Sequence, residues 1–314
     1  MIRPLLAVSR MTFADVTRQP AYFILALGAV LAQALSPALA MFGFEQDLGL
    51  MKEFSVSTVL LAGLCVVALG VSQVMERELE SRTSQALLSK PVPRGVLLVG
   101  KFAGVVGALC PVIYLSLLVL LLAARQGPPQ TIRQPWDWPV VVGGLGGAIL
   151  TIIVALPLSL RSSKPFGQVA VKVGCVSMTL GFLVALPFDS GWSLQPVGGA
   201  IEAIDPLTVQ AVFLAFLASV LLSTVALLLT LVVGRGASTG TILVFLLGLW
   251  LGGADYPWAL GLPSLGVFWV GDLFYAAGTV LPWPYLLEAT LYSLAYSSVC
   301  LLVGAALFNR KETG

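Results

Sequence analysis

The chain has 314 residues, of which 58% are hydrophobic and only 10% are charged, and its mean hydropathy is +0.97. A soluble domain keeps about a quarter of its residues charged in order to cover its surface. The composition therefore excludes a soluble globular protein and indicates that lipid is the solvent for most of the surface. The net charge of +2 is too small to suggest a nucleic-acid partner.

Several kinds of site are excluded by residues that are missing from the sequence. There is no histidine, which removes the zinc-protease motif, the Ser-His pair and any imidazole proton relay. The four cysteines (Cys65, Cys110, Cys175 and Cys300) lie apart in apolar runs, as small core residues do. No phosphate-binding loop is present. We therefore predict no catalytic residue, metal site or cofactor in this chain, so that any ATP is bound by another subunit.

Residues 2–18 precede the first apolar run and are too polar to cross a membrane. On a helix at about 100° per residue, Arg3, Arg10 and Arg18 fall within a sector of roughly 80°. The apolar residues gather mostly on the other side: Leu5, Leu6, Val8, Phe13 and Val16. We predict an interfacial helix whose arginines face anionic lipid, in preference to a flexible basic tail. Pro20 then lets the chain turn into the membrane.

Apolar runs of the length that spans a bilayer recur along the chain. We predict about eight spans, with six or seven left open, at residues 21–42, 55–74, 102–123, 140–160, 168–187, 209–233, 241–253 and 285–308. The run at 241–253 is short and is followed by a second apolar stretch. It is therefore a short span, a re-entrant hairpin or an interfacial segment. Ala38-Leu39-Ala40 resembles a signal-peptidase site. The apolar run before it is longer than a usual signal core, so we expect that this site is not cleaved.

The distribution of basic residues predicts the orientation of the chain. With both termini in the cytoplasm, the cytoplasmic segments hold thirteen lysines and arginines and the outer segments hold three, Lys52, Arg125 and Arg133. This predicts an even number of spans and cytoplasmic termini in a multi-pass inner-membrane protein.

The richest polar segment follows the second span, and Pro91 and Pro93 end it. Leu79, Thr83 and Leu87 have helical spacing, and other positions carry charges. The pattern fits a short amphipathic helix on the cytoplasmic face that a soluble partner could push. It equally fits an ordinary charged loop that only sets topology.

This segment also resembles a known family. Residues 87–94 read Leu-Leu-Ser-Lys-Pro-Val-Pro-Arg and residues 100–102 read Gly-Lys-Phe, which closely resembles the ABC-2 type permeases of ABC transporters. Residues 12–20 resemble the elbow helix of that family, and the last apolar run with its basic tail resembles its final span. The likeness covers roughly the first 120 and last 30 residues. The family unit has six spans, so the region 241–285 departs from it.

The resemblance implies one permease domain over residues 1–314, with an elbow helix at 2–18 and a cytoplasmic coupling segment at 75–101. It implies a dimer, with itself or a second permease, that docks ABC ATP-binding subunits and exports a substrate. The expected ATPase contacts all come from the coupling segment: Glu76, Glu78, Arg82, Leu87, Leu88 and Lys90.

The remaining polar features do not describe a substrate. The glycines at 143–147 and at 198–199 indicate close helix packing. Lys172 lies about one turn inside a predicted span. We expect its side chain to extend to the membrane surface and not to contact a substrate. The tryptophans at 135–139 and 281–285 are typical of interfacial belts. The alternatives to a permease are a secondary carrier, which would need midplane carboxylates, and a membrane scaffold that recruits a cytoplasmic complex.

Overall fold

The computed structural model describes residues 2–40, 47–80, 94–127, 136–162, 164–195, 204–251, 261–276 and 280–310. In these residues the chain is helical and has no β-sheet, apart from an isolated bridge between Phe188 and Leu194. The helices are α1 (Ile2–Thr17), α2 (Pro20–Ala40), α3 (Asp47–Glu80), α4 (Arg94–Gln126), α5 (Trp138–Ser162), α6 (Phe166–Ala185), α7 (Pro206–Val232), α8 (Ala237–Leu251) and α9 (Trp283–Arg310). The predicted all-α bundle is confirmed.

Seven of the described helices are long and apolar enough to cross a membrane, namely α2 to α7 and α9. They coincide with seven of the eight predicted spans. Helices α3 and α4 have 34 and 33 residues, or roughly 50 Å at 1.5 Å per residue, so both exceed a hydrocarbon core of about 30 Å. The N-terminal helix is present as predicted and precedes the first span.

Helix α7 is the centre of the bundle. Its span is 78% buried within the protein, whereas the spans of α5 and α9 are 28% and 22% buried. Leu214, Leu221 and Leu222 on α7 are completely buried in the main hydrophobic core. Helices α5 and α9 therefore lie at the periphery and present most of their apolar surface to lipid.

Contacts between helices define two ends of the bundle. At one end, Gly304 of α9 lies against Leu98 of α4 and Leu231 of α7, and α1 packs beside Gly100. We call this the α1 end. At the opposite end, which we call the far end, Lys52 of α3 binds Asp205 just before α7. Helices α7 and α9 both run from the far end to the α1 end, so the chain between them must return.

That return is made by α8 together with residues 261–276. Helix α8 has only 15 residues, roughly 22 Å, and is too short to span a bilayer alone. Gly248 on α8 packs against the backbone of Pro263 and the side chain of Leu265. Further along, a Cβ placed at Gly49, near the start of α3, would meet the ring of Tyr275. The described residues thus show a short helix in the region left open as a short span, a re-entrant hairpin or an interfacial segment. Residues 261–276 follow it with two 3₁₀ turns, Leu265–Phe268 and Gly271–Tyr275.

Three tyrosines of α9 form hydrogen bonds with the backbone of residues 261–276. Tyr285 Oη donates to the carbonyl oxygen of Val267 (2.6 Å), and Tyr296 Oη donates to that of Gly261 (2.8 Å). The N–H of Ser264 donates to Tyr292 Oη (2.8 Å). Because lipid offers no hydrogen bonds, irregular backbone at membrane depth must find its partners within the protein. The tyrosines supply three of these partners, and the 3₁₀ turns supply others within the segment, such as the carbonyl oxygen of Gly266 for the N–H of Trp269.

Helices α5 and α6 form a close hairpin through glycine. A methyl group at Gly143 would collide with the carbonyl oxygen of Gly181, and one at Gly181 would collide with that of Gly143. A Cβ at Gly147 would stand 2.8 Å from Met178 Sδ. The predicted packing role is confirmed for Gly143 and Gly147, whereas a Cβ at Gly146 would meet nothing within 4 Å. Gly198 and Gly199 lie outside the described residues.

Candidate coupling site at the α1 end

The predicted ATPase contacts fall on or beyond the end of α3. Glu76 and Glu78 belong to the last turns of α3, which runs unbroken from Asp47 to Glu80. Residues 75–80 therefore extend the second span and do not begin a separate amphipathic helix. Arg82, Leu87, Leu88 and Lys90 lie outside the described residues. Helix α4 begins at Arg94, so it also reaches further into the coupling segment than the span predicted from residue 102.

Helix α1 packs along α4 through a row of glycines. A Cβ at Gly100 would lie 2.9 Å from the side chain of Val8, and one at Gly104 would lie 2.6 Å from Thr12 Cβ. A Cβ at Gly107 would lie 3.4 Å from the ring of Phe13. The spacing Gly100, Gly104, Gly107 puts all three on one face of α4, because residues three and four apart are neighbours on a helix. The glycines let the two backbones approach closely.

The apolar side of α1 packs partly against protein. Val8 and Phe13 lie on α4, and Val16 lies against Gly70 of α3. Val16 is 1% exposed. Arg3, Arg10 and Arg18 are exposed on the remaining surface of the helix. Their proposed contact with anionic lipid stays a prediction.

Two side-chain contacts join α1 to α6. Gln168 Nε2 donates to Thr17 Oγ1 at 2.9 Å, and both residues are buried. Lys172 Nζ lies 5.2 Å from the centre of the Phe13 ring, within the range of a cation–π interaction. The side chain of Lys172 therefore reaches towards α1, and its snorkelling stays a prediction. Helix α1 is thus fixed to α3, α4 and α6 together.

The far end carries a largely buried arginine site that the sequence did not reveal. Arg125 Nε donates to Asp137 Oδ2 at 2.8 Å, and their side chains are only 12% and 13% exposed. Arg125 Nη1 donates to the carbonyl oxygen of Ala185 (2.7 Å), and Nη2 donates to that of Phe188. Asp137 also accepts a hydrogen bond from the N–H of Val140 in the first turn of α5. We call this set of bonds the Arg125 clamp, because it joins the ends of α4, α5 and α6.

A second ionic site at the far end joins α3 to α7. Lys52 Nζ lies 2.7 Å from Asp205 Oδ2, which also accepts from Thr208 Oγ1 (2.6 Å). Asp205 precedes α7 and accepts from the N–H of Leu207 through its other oxygen (3.3 Å). Burial raises the pKa of the Asp205 carboxyl, but the bonds from Lys52 and Thr208, the Lys52 charge and the Leu207 N–H outweigh burial. The pKa therefore lies below its ordinary value of 3.8.

This lowered pKa predicts an acid-dependent loss of stability. Because the folded carboxyl has the lower pKa, ionised Asp205 favours the folded state above the ordinary value, and this contribution is lost as the pH falls through the folded value. We expect Asp205→Asn to lower the melting temperature at neutral pH and to flatten its decline towards about pH 3. Thermal unfolding in detergent across this range measures both effects. Parallel declines in the two proteins would contradict the assignment.

Among the described residues, no group of three or more acidic, cysteine or histidine side chains could hold a metal ion. The sequence matches no protein-family profile and no curated protein. The resemblance noted above is therefore carried by its motifs alone.

Proposed function

We propose that this chain is the membrane-spanning subunit of an ABC-2 type transporter. In this proposal a separate ATP-binding subunit docks against residues 76–90 at the cytoplasmic face, and its ATP hydrolysis drives the export of a substrate across the inner membrane. The observation that carries the proposal is the packing of α1 on the first turns of α4, the helix that follows the proposed docking segment in the chain. Both termini of the chain are cytoplasmic, and two such permeases pair.

The packing at the α1 end supports a way for movement to pass from the partner to the spans. A force on residues 81–93 acts on the ends of both α3 and α4, because the segment joins them. Helix α1 follows α4 through the contacts at Gly100 and Gly104. It also follows α3 through the contact between Val16 and Gly70. A displacement of the segment therefore reaches the ends of all three helices together, since packed interfaces shift as bodies more readily than they deform.

The proposed partner contacts divide into two groups. Glu76 and Glu78 stand on the helical extension of the second span, and Arg82, Leu87, Leu88 and Lys90 follow it in the chain. Rigid helices carry a displacement along their length, whereas flexible connections absorb it. A partner that binds close to the end of α3 therefore has a direct connection to the core around α7.

Site-directed crosslinking tests the proposal. A photoreactive residue is placed at Leu87 or Lys90, the protein is purified from its native membrane after illumination, and the captured partner is identified by mass spectrometry. We expect an ABC ATP-binding subunit. As a matched control, the same residue is placed at Leu194, which is 77% exposed at the far end, and there no ATPase subunit should be captured.

Two results would overturn the proposal. One is efficient capture of other proteins from Leu87 and Lys90 with no ATPase among them, which would favour a membrane scaffold. The other is equal capture of the ATPase from both ends, which would show that the crosslinks are not specific.

A further inference from the structure

A short hairpin follows α6 at the far end and is closed by its own hydrogen bonds. The N–H of Asp189 donates to the carbonyl oxygen of Ser193 (2.8 Å), and the N–H of Gln195 donates to that of Pro187 (2.9 Å). Asp189 Oδ1 accepts from the N–H of Ser190 (2.7 Å) and from Gln195 Nε2 (3.2 Å). Residues 187–195 therefore hold one defined shape, and the single carboxylate among them is satisfied within the hairpin.

The hairpin holds Trp192 in a backbone conformation that tryptophan rarely adopts. Its φ is +62°, and among the described residues it is the one non-glycine with positive φ. Such a conformation is unfavourable for a bulky side chain, and it persists where the surroundings impose it. The Trp192 ring lies 5.3 Å from that of Phe188 and remains 44% exposed. The strained backbone thus directs a large apolar ring outwards.

The Arg125 clamp joins the hairpin to the start of α5, where two other tryptophans are exposed. Arg125 binds the carbonyl oxygen of Phe188 in the hairpin and the carboxylate of Asp137, which lies between Trp136 and Trp138 in the sequence. Trp136 and Trp138 are 62% and 55% exposed. Arg125 and Asp137 neutralise each other, and the remaining carboxylate, Asp189, is bonded by the N–H of Ser190 and by Gln195. The exposed rings therefore make this surface mainly apolar and aromatic.

We propose that Trp136, Trp138, Trp192 and Leu194 form one preorganised anchor that inserts into the headgroup layer of the membrane at the far end. The partner is the lipid surface itself. Tryptophan is enriched at this depth because its ring is apolar and its N–H can still reach water. The anchor continues the lipid-facing surface of the adjoining helices, on which Leu145 of α5 and Leu183 of α6 are 61% and 54% exposed. The clamp fixes the depth of α4, α5 and α6 together.

Fluorescence at Leu194 tests the anchor in the complete chain. The four cysteines are replaced by serine or alanine, Leu194→Cys is labelled with an environment-sensitive dye, and the protein is reconstituted into phosphatidylcholine vesicles. We expect blue-shifted emission and stronger quenching by lipids that carry a nitroxide near the headgroup than by lipids that carry it near the chain end. We expect Trp192→Gly to remove most of this quenching, because the ring is lost while glycine accepts the positive φ.

A matched variant separates the ring from the hairpin. Ser193→Gly removes a neighbouring exposed side chain and leaves the bond from Asp189 N–H to its carbonyl oxygen intact, so quenching should stay as in the parent. Emission typical of water at position 194, with quenching by aqueous iodide alone, would overturn the proposal and favour a soluble partner for this surface. Equal quenching in the parent and in Trp192→Gly would also overturn it.

Discussion

Arg125→Ala is expected to destabilise the protein by about 3–5 kcal/mol, the usual cost of removing one partner of a buried ion pair. The Asp137 carboxylate would stay largely buried without a counter-charge. The carbonyl oxygens of Ala185 and Phe188 would lose the guanidinium as a donor, although that of Ala185 keeps a bond from the N–H of Phe188. The loss is measured as the decrease in folded, monodisperse protein after heating in detergent.

Two further variants show whether the unpaired charge is the cause. Arg125→Leu combined with Asp137→Asn removes both charges and keeps a side chain that can cap α5, so it should recover part of the loss. Arg125→Lys keeps the positive charge but loses the planar guanidinium that donates to several acceptors. Its stability should therefore lie between those of the parent and the alanine variant. If Arg125→Ala costs less than about 1 kcal/mol, the pair behaves as an exposed surface salt bridge and the clamp does not hold the far end.

Gly104→Ala is expected to separate α1 from α4 at a cost of about 1–3 kcal/mol, as overpacking of a tight interface does. The new methyl group would stand 2.6 Å from Thr12 Cβ and 2.7 Å from the carbonyl oxygen of Ser9. Because one of these atoms belongs to the backbone, a side-chain rotation cannot relieve the contact. The gain in helix propensity, about 1 kcal/mol at most, does not offset it. Thermal unfolding in detergent gives the change in stability.

Gly95→Ala is the matched control, because it lies on the same helix and a Cβ there would meet nothing within 4 Å. It should be neutral or slightly stabilising. Under the proposed function, Gly104→Ala should also reduce transport more than it reduces ATP hydrolysis by the partner, since α1 no longer follows α4. Equal stability of the Gly104 and Gly95 variants would show that the helices are not in close contact.

Seven spans could be predicted because an uninterrupted apolar run of sufficient length determines a membrane helix almost alone. The stretch after α7 could not be predicted in the same way. Its apolar run at 241–253 ends at Gly252-Gly253, and three of the hydrogen bonds that hold residues 261–276 come from tyrosines up to 35 positions away in the chain. Hydropathy predicts that a segment lies in the membrane, but it does not predict which residues form hydrogen bonds with the backbone of that segment.

The environment of α1 was predicted only in part for a related reason. The positions of the three arginines correctly predicted one exposed face of α1. Leu5, Val8 and Val16 indicate an apolar environment, but their identity does not show whether that environment is lipid or protein. The glycines at 100, 104 and 107 were the available signal for a packed neighbour. The Arg125 clamp was missed because Arg125 and Asp137 face each other across a connection whose path the sequence does not give.

The order of the chain has a consequence for how the protein is made. Residues 261–276 are synthesised before the three tyrosines that bond the backbone of Gly261, Ser264 and Val267. The segment's own 3₁₀ turns satisfy some groups at once, but the three that the tyrosines bond have no partner in lipid until α9 is inserted. Helix α8 is too short to anchor the segment. This part of the bundle can therefore be completed only after the last span is inserted. Insertion of α9 thus completes the folding of the segment that precedes it in the chain.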